Sequence, residues 1–408
     1  LARSQASLPA MLNYKVQAEN NSLYNTPNTF GVYILGLTAK WLRSLGGLSS
    51  RPPPSLRHLV NPLLQLRQLR WSGGKRIGAL GSVSHVASAT TALVRGENKQ
   101  ALDYYEQCLK LGEELGEKTL VGDALNSLGV LYFRQSDYSK ALEAFQRNLQ
   151  IREELGNKLD IGRELSNIGN VYLYQGDKVR ALENYQRSLK LAEEVRNRAG
   201  LSATLNNIGN LYFSQGNFVQ ALEYIQQSLK IKQELGDKLG SARNLNNIGL
   251  VYSQLGQYTQ AIDNLQQGAK IMEEFGDKLG VVEAWHYIGI VYLEKGDYSQ
   301  ALAYEQKALK PAEEMNHVQL QSEMLHNIGQ SYLRLGQYQA ATEYSARAAS
   351  LAQNNVPDIL LSAQTIAGKA HLALNQTDRA RKLFLESIAT IEKLRGQVAG
   401  GEREQQRF

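Results

Sequence analysis

The chain has 408 residues and a single cysteine, Cys108. One cysteine can form neither an intramolecular disulfide nor a cysteine-based zinc site, so a disulfide-stapled fold and a zinc finger are excluded. Small residues recur at 40-residue steps from Cys108, which favours a packed thiol over a reactive one. These positions are Asn148, Ser188, Ser228, Gly268, Ala308 and Ala348.

Long hydrophobic runs are also missing. The longest apolar run near the start covers Val32–Leu37, which is too short to cross a bilayer. We therefore expect no membrane partner. The lone cysteine and the lack of a recognisable secretory segment favour a cytoplasmic location.

Acidic residues are nearly absent from the first quarter of the chain. Residues 1–96 carry eleven Lys or Arg and one acid, Glu19, whereas residues 97–408 carry 34 basic and 38 acidic residues. The larger part is thus slightly acidic with mixed signs. This balance argues against a groove that follows a phosphate backbone, and we expect no nucleic-acid partner.

Residues 1–80 form a basic segment that does not share the repeat described below. No Asp or Glu occurs from Asn20 to Gly96, and Pro52–Pro54 and Gly73-Gly74 interrupt the segment. Three interpretations remain open: a disordered basic arm, a targeting peptide of the Arg-rich and acid-poor kind, or a stretch outside the native reading frame. We favour the first or the third.

What the sequence does contain is a repeat with a fixed period. Six glycines lie 40 residues apart, each is followed three positions later by a tyrosine, and an alanine opens the second half of each unit. A period in this range indicates a solenoid, in which each unit buries its apolar face by stacking on its neighbours. The glycines are Gly129, Gly169, Gly209, Gly249, Gly289 and Gly329.

One unit, Leu239 to Phe275, illustrates the local structure. Leu245, Ile248 and Tyr252 follow helical spacing, and Gly256 then suits a left-handed helix end. A second amphipathic stretch ends at Gly276-Asp277, where a glycine stops one helix and an aspartate can begin the next. The sequence therefore predicts an all-α protein, an α-solenoid of tandem helix-turn-helix units.

The repeated glycine and alanine have a common physical purpose. Two helices approach closely only where the facing side chains are small. We expect a leucine at Gly209 or Ala221 to overpack that contact and to cost about 1–3 kcal/mol. The large residue Trp285 stands among the core positions of its unit, so we predict that it packs in the core.

The strings Leu205–Tyr212 (LNNIGNLY) and Ala221–Tyr224 (ALEY) resemble tetratricopeptide repeats. The 40-residue period is similar to that of kinesin light chains and LGN/Pins-type adaptors. The resemblance covers about residues 98–395 and implies a right-handed superhelix of helix pairs. The proline that often closes shorter repeats of this family is missing, and Gly-Asp-Lys loops replace it.

The predicted domain boundaries follow from this register. Residues 81–118 form a degenerate first repeat, with Ala89 and Ala92 in place of the glycine and tyrosine. Residues 119–395 form seven tandem helix pairs, and residues 396–408 form a tail or linker. Atypical end units are expected, because a terminal repeat presents one face to water.

The C-terminal segment Ser387–Arg395, followed by Gly400-Gly401-Glu402, has a second resemblance. It is similar to the junction at which bacterial, often cyanobacterial, proteins join these repeats to a caspase-like CHAT peptidase domain. The resemblance implies that the chain is the repeat half of a larger protein. The alternative function is therefore the regulatory or sensing half of a CHAT peptidase whose catalytic domain is absent from this chain.

The surface opposite the core stripe follows from the advance of about 100° per residue in a helix. With the repeated glycine as position eight, positions two, five, nine, twelve and thirteen line the concave groove. Asn donates and accepts at once, which suits an extended peptide backbone, and arginine pairs with acidic side chains. The candidate groove residues are Asn126, Arg163, Asn170, Asn206, Asn210, Arg243, Asn246, His286, His326 and Arg334. In the resembling adaptors, asparagines of this string help to hold the partner's backbone.

Two interpretations compete with groove binding. Asparagine is also a tolerated polar residue on a wet helix face. In addition, Glu283-x-x-His286 and Glu323-x-x-His326 repeat the spacing of di-iron and di-manganese bundles, which need two further glutamates. We favour coincidence on a solvated face over this metal site.

No nucleophile–base pair, phosphate-binding glycine loop or cysteine cluster is evident, so we predict a protein that is not an enzyme and needs no cofactor. The leading hypothesis is an interaction scaffold that binds a protein or peptide in the concave groove.

Overall fold

A computed structural model describes residues 98–353 and 356–405, with side chains from 99 to 392. This part of the chain is helical throughout and contains fifteen helices, so the predicted all-α class is confirmed. In chain order they are α1 (Asn98–Leu115), α2 (Lys118–Arg134), α3 (Tyr138–Glu154), α4 (Lys158–Tyr174), α5 (Lys178–Glu194), α6 (Arg198–Ser214), α7 (Phe218–Glu234), α8 (Lys238–Gln254), α9 (Tyr258–Glu274), α10 (Lys278–Lys295), α11 (Tyr298–Glu314), α12 (Val318–Arg334), α13 (Tyr338–Ala352), α14 (Pro357–Ala373) and α15 (Thr377–Gln405).

The helices form two compact units, α1–α7 up to Asp237 and α8–α15 from Lys238. Within each unit every helix packs against the next one in the chain, and first helices of successive repeats also touch. This neighbour-to-neighbour packing is that of an α-solenoid. In the described residues, no helix combines the length and the hydropathy that crossing a membrane requires.

The helix ends are set by glycine and aspartate residues that lie between the helices. Gly256 and Gly276 adopt left-handed backbone angles, with φ of +72° and +71°. Asp277 then caps α10, because its Oδ1 accepts a hydrogen bond of 3.1 Å from the backbone N–H of Gly280. Only glycine takes these φ values without steric strain, which explains the spacing of the loops.

The repeated glycine lies where two helices of a pair meet. A Cβ on Gly209 would lie 2.5 Å from Cγ1 of Ile225, and one on Gly249 would lie 2.6 Å from Cγ of Leu265. Ala221 is fully buried at the same crossing. The predicted close approach is therefore confirmed, and a larger side chain has no room there.

Two further core predictions are confirmed. Cys108 is completely buried, and burial together with the charge of Asp123 raises the pKa of its thiol to about 11. Trp285 packs partly buried against two apolar clusters, with Lys307 Nζ at 3.9 Å from the ring centroid. The predictions for residues 1–80 and for the first part of the degenerate repeat, up to residue 97, lie outside the described residues. Helix α15 continues through Gly400 and Gly401 to Gln405.

Candidate functional site

Position nine of the first helices carries two asparagines in the first unit, on α4 and α6. Asn170 and Asn210 are both half-buried. Asn170 Oδ1 accepts a hydrogen bond of 2.7 Å from the hydroxyl of Tyr185, which leaves the Asn170 amide N–H groups available. The Asn210 carboxamide has no hydrogen-bond partner among the described side chains or backbone. These two groups can therefore bind a ligand without breaking internal contacts.

Position five faces the junction between repeats instead of an open groove. Asn126 Oδ1 accepts a hydrogen bond of 3.2 Å from Asn167 Nδ2 of the following repeat. Ser166, at the same position on α4, lies 2.9 Å from Ser188 Oγ and 3.1 Å from Thr204 Oγ1. Asn206 is half-buried and also has a partner. Asn167 thus forms a hydrogen bond between repeats.

Asn246 requires a correction, because the structure buries it instead of exposing it. Only 4% of its surface is accessible, and its Oδ1 has no hydrogen-bond partner. A Cβ on Gly268 would lie 2.4 Å from that oxygen, so the carboxamide fills the space that the missing side chain leaves. Asn246 is therefore a packing residue. The neighbouring candidate Arg243 is half-buried and pairs with Asp277 at 3.4 Å.

His286 requires the same correction, since 3% of its surface is accessible. Its Nδ1 lies 2.8 Å from Oε2 of Glu305, which is fully buried, and its Nε2 lies 3.6 Å from Oε2 of Glu323. Burial lowers the pKa of His286, but the charge and hydrogen bonds of the two glutamates outweigh burial and raise it to about 10. The imidazolium is thus an internal ion-pair partner, and a groove ligand cannot reach it.

Glu305, a buried charged residue of this cluster, was not identified from the sequence. It stands at the position that faces the repeated glycine, where other units carry large or small uncharged residues. Aligning the units would have found it, because Glu305 is the one charged residue at this position. The equivalent residues are Phe145, Tyr185, Ile225, Leu265, Glu305 and Ser345. Its Oε1 accepts a hydrogen bond of 2.7 Å from Asn327 Nδ2, and burial raises its pKa.

His326 continues the polar network of the second unit. Its Nδ1 lies 3.1 Å from Asn327 Oδ1 and its Nε2 lies 2.6 Å from Ser362 Oγ. Burial lowers the pKa of His326, so the ring is neutral at neutral pH. A Ser–His–Asn contact resembles a catalytic arrangement, but Ser362 lies within α14, whose helical hydrogen bonds occupy the backbone N–H groups that an oxyanion hole would need.

The metal interpretation of the two Glu-x-x-His pairs is not supported. In the part of the chain that the structure describes, no three His, Cys, Asp or Glu residues are arranged to hold a metal ion. The nitrogens of His286 face Glu305 and Glu323, and those of His326 face a carboxamide and a hydroxyl. Glu283 is half-buried, and burial together with Asp277 raises its pKa.

The remaining candidates are exposed arginines. Arg163 on α4 pairs within its own helix with Asp160 at 3.0 Å and with the buried Glu164 at 3.3 Å. Arg334 at the end of α12 is exposed and makes no ion pair among the described residues.

The repeats have a clear relationship to known proteins. The architecture defines an α-solenoid of tandem helix pairs, the class of fold that serves as a protein-interaction scaffold. Family models of the tetratricopeptide repeat match residues 83–154, 120–194, 160–234, 200–274, 240–314 and 322–355. These matches cover more than half of the sequence, and the chain belongs to the tetratricopeptide repeat family.

Solved structures with the same fold extend over most of this chain. A Rap protein complexed with competence and sporulation factor is similar over 89% of this chain and 98% of its own, with a TM-score of 0.62 and 14% identity. The apo quorum sensor NprR from B. thuringiensis is similar over 93% of this chain and 99% of its own, with a TM-score of 0.57 and 12% identity. At these identities the similarity shows the fold alone.

Sequence relatives cover only a short stretch. Phosphoserine aminotransferase from Lysinibacillus sphaericus (strain C3-41) is 50% identical over 50 residues, 12% of this chain and 14% of the relative. The enzyme from Chromobacterium violaceum is 50% identical over 48 residues, 12% of this chain and 13% of the relative. The chain thus spans about one seventh of the length of these relatives.

Proposed function

We propose that the chain binds an extended peptide or partner segment along the first-helix faces of its first unit, with Asn170 and Asn210 contacting the partner's main chain. The observation that supports this function is that both carboxamides are half-buried yet retain unused hydrogen-bonding capacity. They occupy the same position of successive first helices, which contact each other. Asparagine pairs with a peptide group through one donor and one acceptor.

The contribution of these groups can be estimated. A hydrogen bond contributes about 0.5–1.5 kcal/mol net, so losing one from each carboxamide, about 1–3 kcal/mol together, weakens binding by about 5- to 150-fold. The helices remain intact, because neither side chain fills a core position, although N170A also removes the hydrogen-bond acceptor of the buried Tyr185 hydroxyl.

The test uses the full chain and a random-peptide phage library. Peptides selected on the wild-type chain are synthesised, and their affinities are measured by calorimetry for wild type and for the N170A/N210A variant. The matched control is Q186A/Q226A, which removes two exposed carboxamides at the same 40-residue spacing from second helices α5 and α7. Circular dichroism checks the fold of each variant.

The expected result is a loss of affinity in N170A/N210A and none in Q186A/Q226A. Equal affinities for all three proteins, with helicity unchanged, would overturn the proposed contact. A loss of helicity in N170A/N210A would make the two asparagines structural residues and would also overturn it.

The alternative function, a sensing half of a CHAT peptidase, is supported by the C-terminal sequence Ser387–Arg395 alone. We infer that the repeats themselves act without chemistry of their own and in the cytoplasm; the lone buried cysteine is consistent with that location. Determining the coding sequence downstream of Phe408 tests the alternative.

A further inference from the structure

A row of exposed apolar side chains runs along one edge of the first unit, where the turns between first and second helices lie. Val179 and Val219 are each 70% exposed, and Tyr174 is 63% exposed. The Tyr174 ring lies 5.0 Å from the ring of Phe133 and 6.0 Å from that of Tyr138, measured between centroids. We call this surface the aromatic edge and define it by Phe133, Tyr138, Tyr174, Val179, Phe218 and Val219.

The two valines are not required by the fold. They occupy the second residue of α5 and α7. The equivalent residues of α9 and α11 are Thr259 and Ser299, which are exposed and polar. Valine has no advantage over these residues in helix propensity, and it leaves apolar surface in water. Packing within the repeats therefore does not explain why valine occurs at positions 179 and 219.

The edge spans three repeats. The rings of Phe133 and Tyr138 meet in the turn after α2, and Tyr174 of the next repeat packs on both. Lys178 Nζ donates a hydrogen bond of 2.6 Å to the carbonyl oxygen of Ser214, which joins this repeat to the following one. There the ring of Phe218 lies 5.6 Å from the ring of Phe213. Contiguous apolar patches on soluble proteins mark interaction sites.

The charges beside the aromatic edge determine which sign of charge a partner must carry. Asp137 and Asp177 cap α3 and α5 and are occupied by ion pairs with Lys140 at 3.0 Å and Arg180 at 3.4 Å. The positive charges of Arg134 and Lys178 have no acidic partner among the described residues. The surplus at the edge is therefore positive.

We propose that the aromatic edge docks a partner segment in which apolar residues alternate with aspartate or glutamate. The apolar residues cover Val179, Val219 and the tyrosines, and the carboxylates pair with Arg134 and Lys178. This surface adjoins the one proposed for Asn170 and Asn210, because Phe133, Arg134 and Tyr174 stand at positions twelve and thirteen of the first helices. The two proposals use different residues, and neither rests on the other.

The test is a subtractive selection on the full chain. A random-peptide phage library is depleted on the V179T/V219T variant and then selected on wild type. Threonine keeps the shape of valine and is the residue that the chain itself has at Thr259. The matched control V195T/V318T makes the same change at two exposed valines away from the edge.

The expected peptides are rich in apolar and acidic residues, and V179T/V219T weakens their binding about tenfold because each substitution replaces a methyl group in the contact by a hydroxyl. Affinity for R134Q falls as well, and its dependence on salt is reduced. V195T/V318T leaves the affinity unchanged, which assigns the loss to the aromatic edge.

Two outcomes would overturn the proposal. The first is that no peptide distinguishes wild type from V179T/V219T. The second is that the discriminating peptides are basic or uncharged, since this would remove the role of Arg134. Circular dichroism and the unfolding midpoint of V179T/V219T are expected to match wild type, because both valines are exposed.

Discussion

At the residue scale, the buried pair His286–Glu305 is the clearest departure from the repeat pattern. The preceding unit of the second half has Asn246 and Leu265 at the same two positions. A buried ion pair with good geometry is often no more stabilising than apolar residues of similar volume, but breaking it leaves an uncompensated charge. The pair is thus energetically coupled, and its two members must be changed together.

We predict that Glu305→Leu alone lowers the free energy of unfolding by about 3–5 kcal/mol, because His286 loses its main partner. The double variant H286N/E305L introduces the residue types of Asn246 and Leu265, although Ala308 stands where that unit has Gly268, and is expected to regain part of that loss. Denaturant titration of the full chain, followed by circular dichroism, measures both effects. Equal destabilisation by the single and double variants would contradict the coupling.

The pH dependence supplies a second check on the same pair. The folded-state pKa of His286, about 10, is higher than its ordinary value of 6.5. The stabilisation is therefore fully present below about pH 6.5 and is lost as the pH rises towards about 10. Wild type should lose stability across this window more steeply than H286N/E305L. Parallel curves would show that His286 does not carry a raised pKa.

At the element scale, most of the fold could be predicted from the sequence, because the 40-residue register repeats both the apolar stripe and the glycines of the turns. Gly256, Gly276 and the crossing at Gly249 were each found from local pattern alone. The exposure of position five could not be predicted. A helical wheel identifies the face of one helix, whereas the next repeat decides whether that face is covered, as it is for Asn126.

Four loops of the described residues place a residue other than glycine at positive φ, namely Ser136, Arg196, Asn316 and Asn375, and arginine is the largest of them. Arg196, at φ +53°, occupies the left-handed position that Gly156 and Gly236 occupy in neighbouring repeats. A side chain with a Cβ costs about 1–2 kcal/mol in this conformation, and part of that cost is offset by the greater flexibility of glycine in the unfolded chain.

We predict that Arg196→Gly raises the free energy of unfolding by about 0.5–1 kcal/mol. Arg196→Ala is the control, because it removes the charge and the long side chain but keeps the Cβ. Thermal and denaturant unfolding of the full chain compare the variants. A gain of equal size in Arg196→Ala would assign the effect to the arginine side chain and would contradict the backbone explanation.

At the scale of the whole molecule, packing between neighbouring helices and repeats governs stability. In each unit the helices contact their neighbours in the chain and the adjacent repeat. The stability of such an array is a sum of terms from each repeat and from nearest-neighbour interfaces. Damage at one crossing should therefore remain local, unlike damage to the single core of a globular domain.

Gly169→Ala tests this property in the first unit. The new Cβ would lie 2.5 Å from Cε1 of Tyr185, so the ring must shift, at a cost of about 1–3 kcal/mol. We expect amide hydrogen exchange to increase most in α4 and α5, less in the helix pairs on either side, and least in α1. The control is Gln186→Ala, an exposed change on α5 that should leave the exchange pattern unaltered. A uniform increase across α1–α7 in Gly169→Ala would mean that the unit opens as one cooperative body, because nearest-neighbour coupling would then exceed the stability of any single repeat.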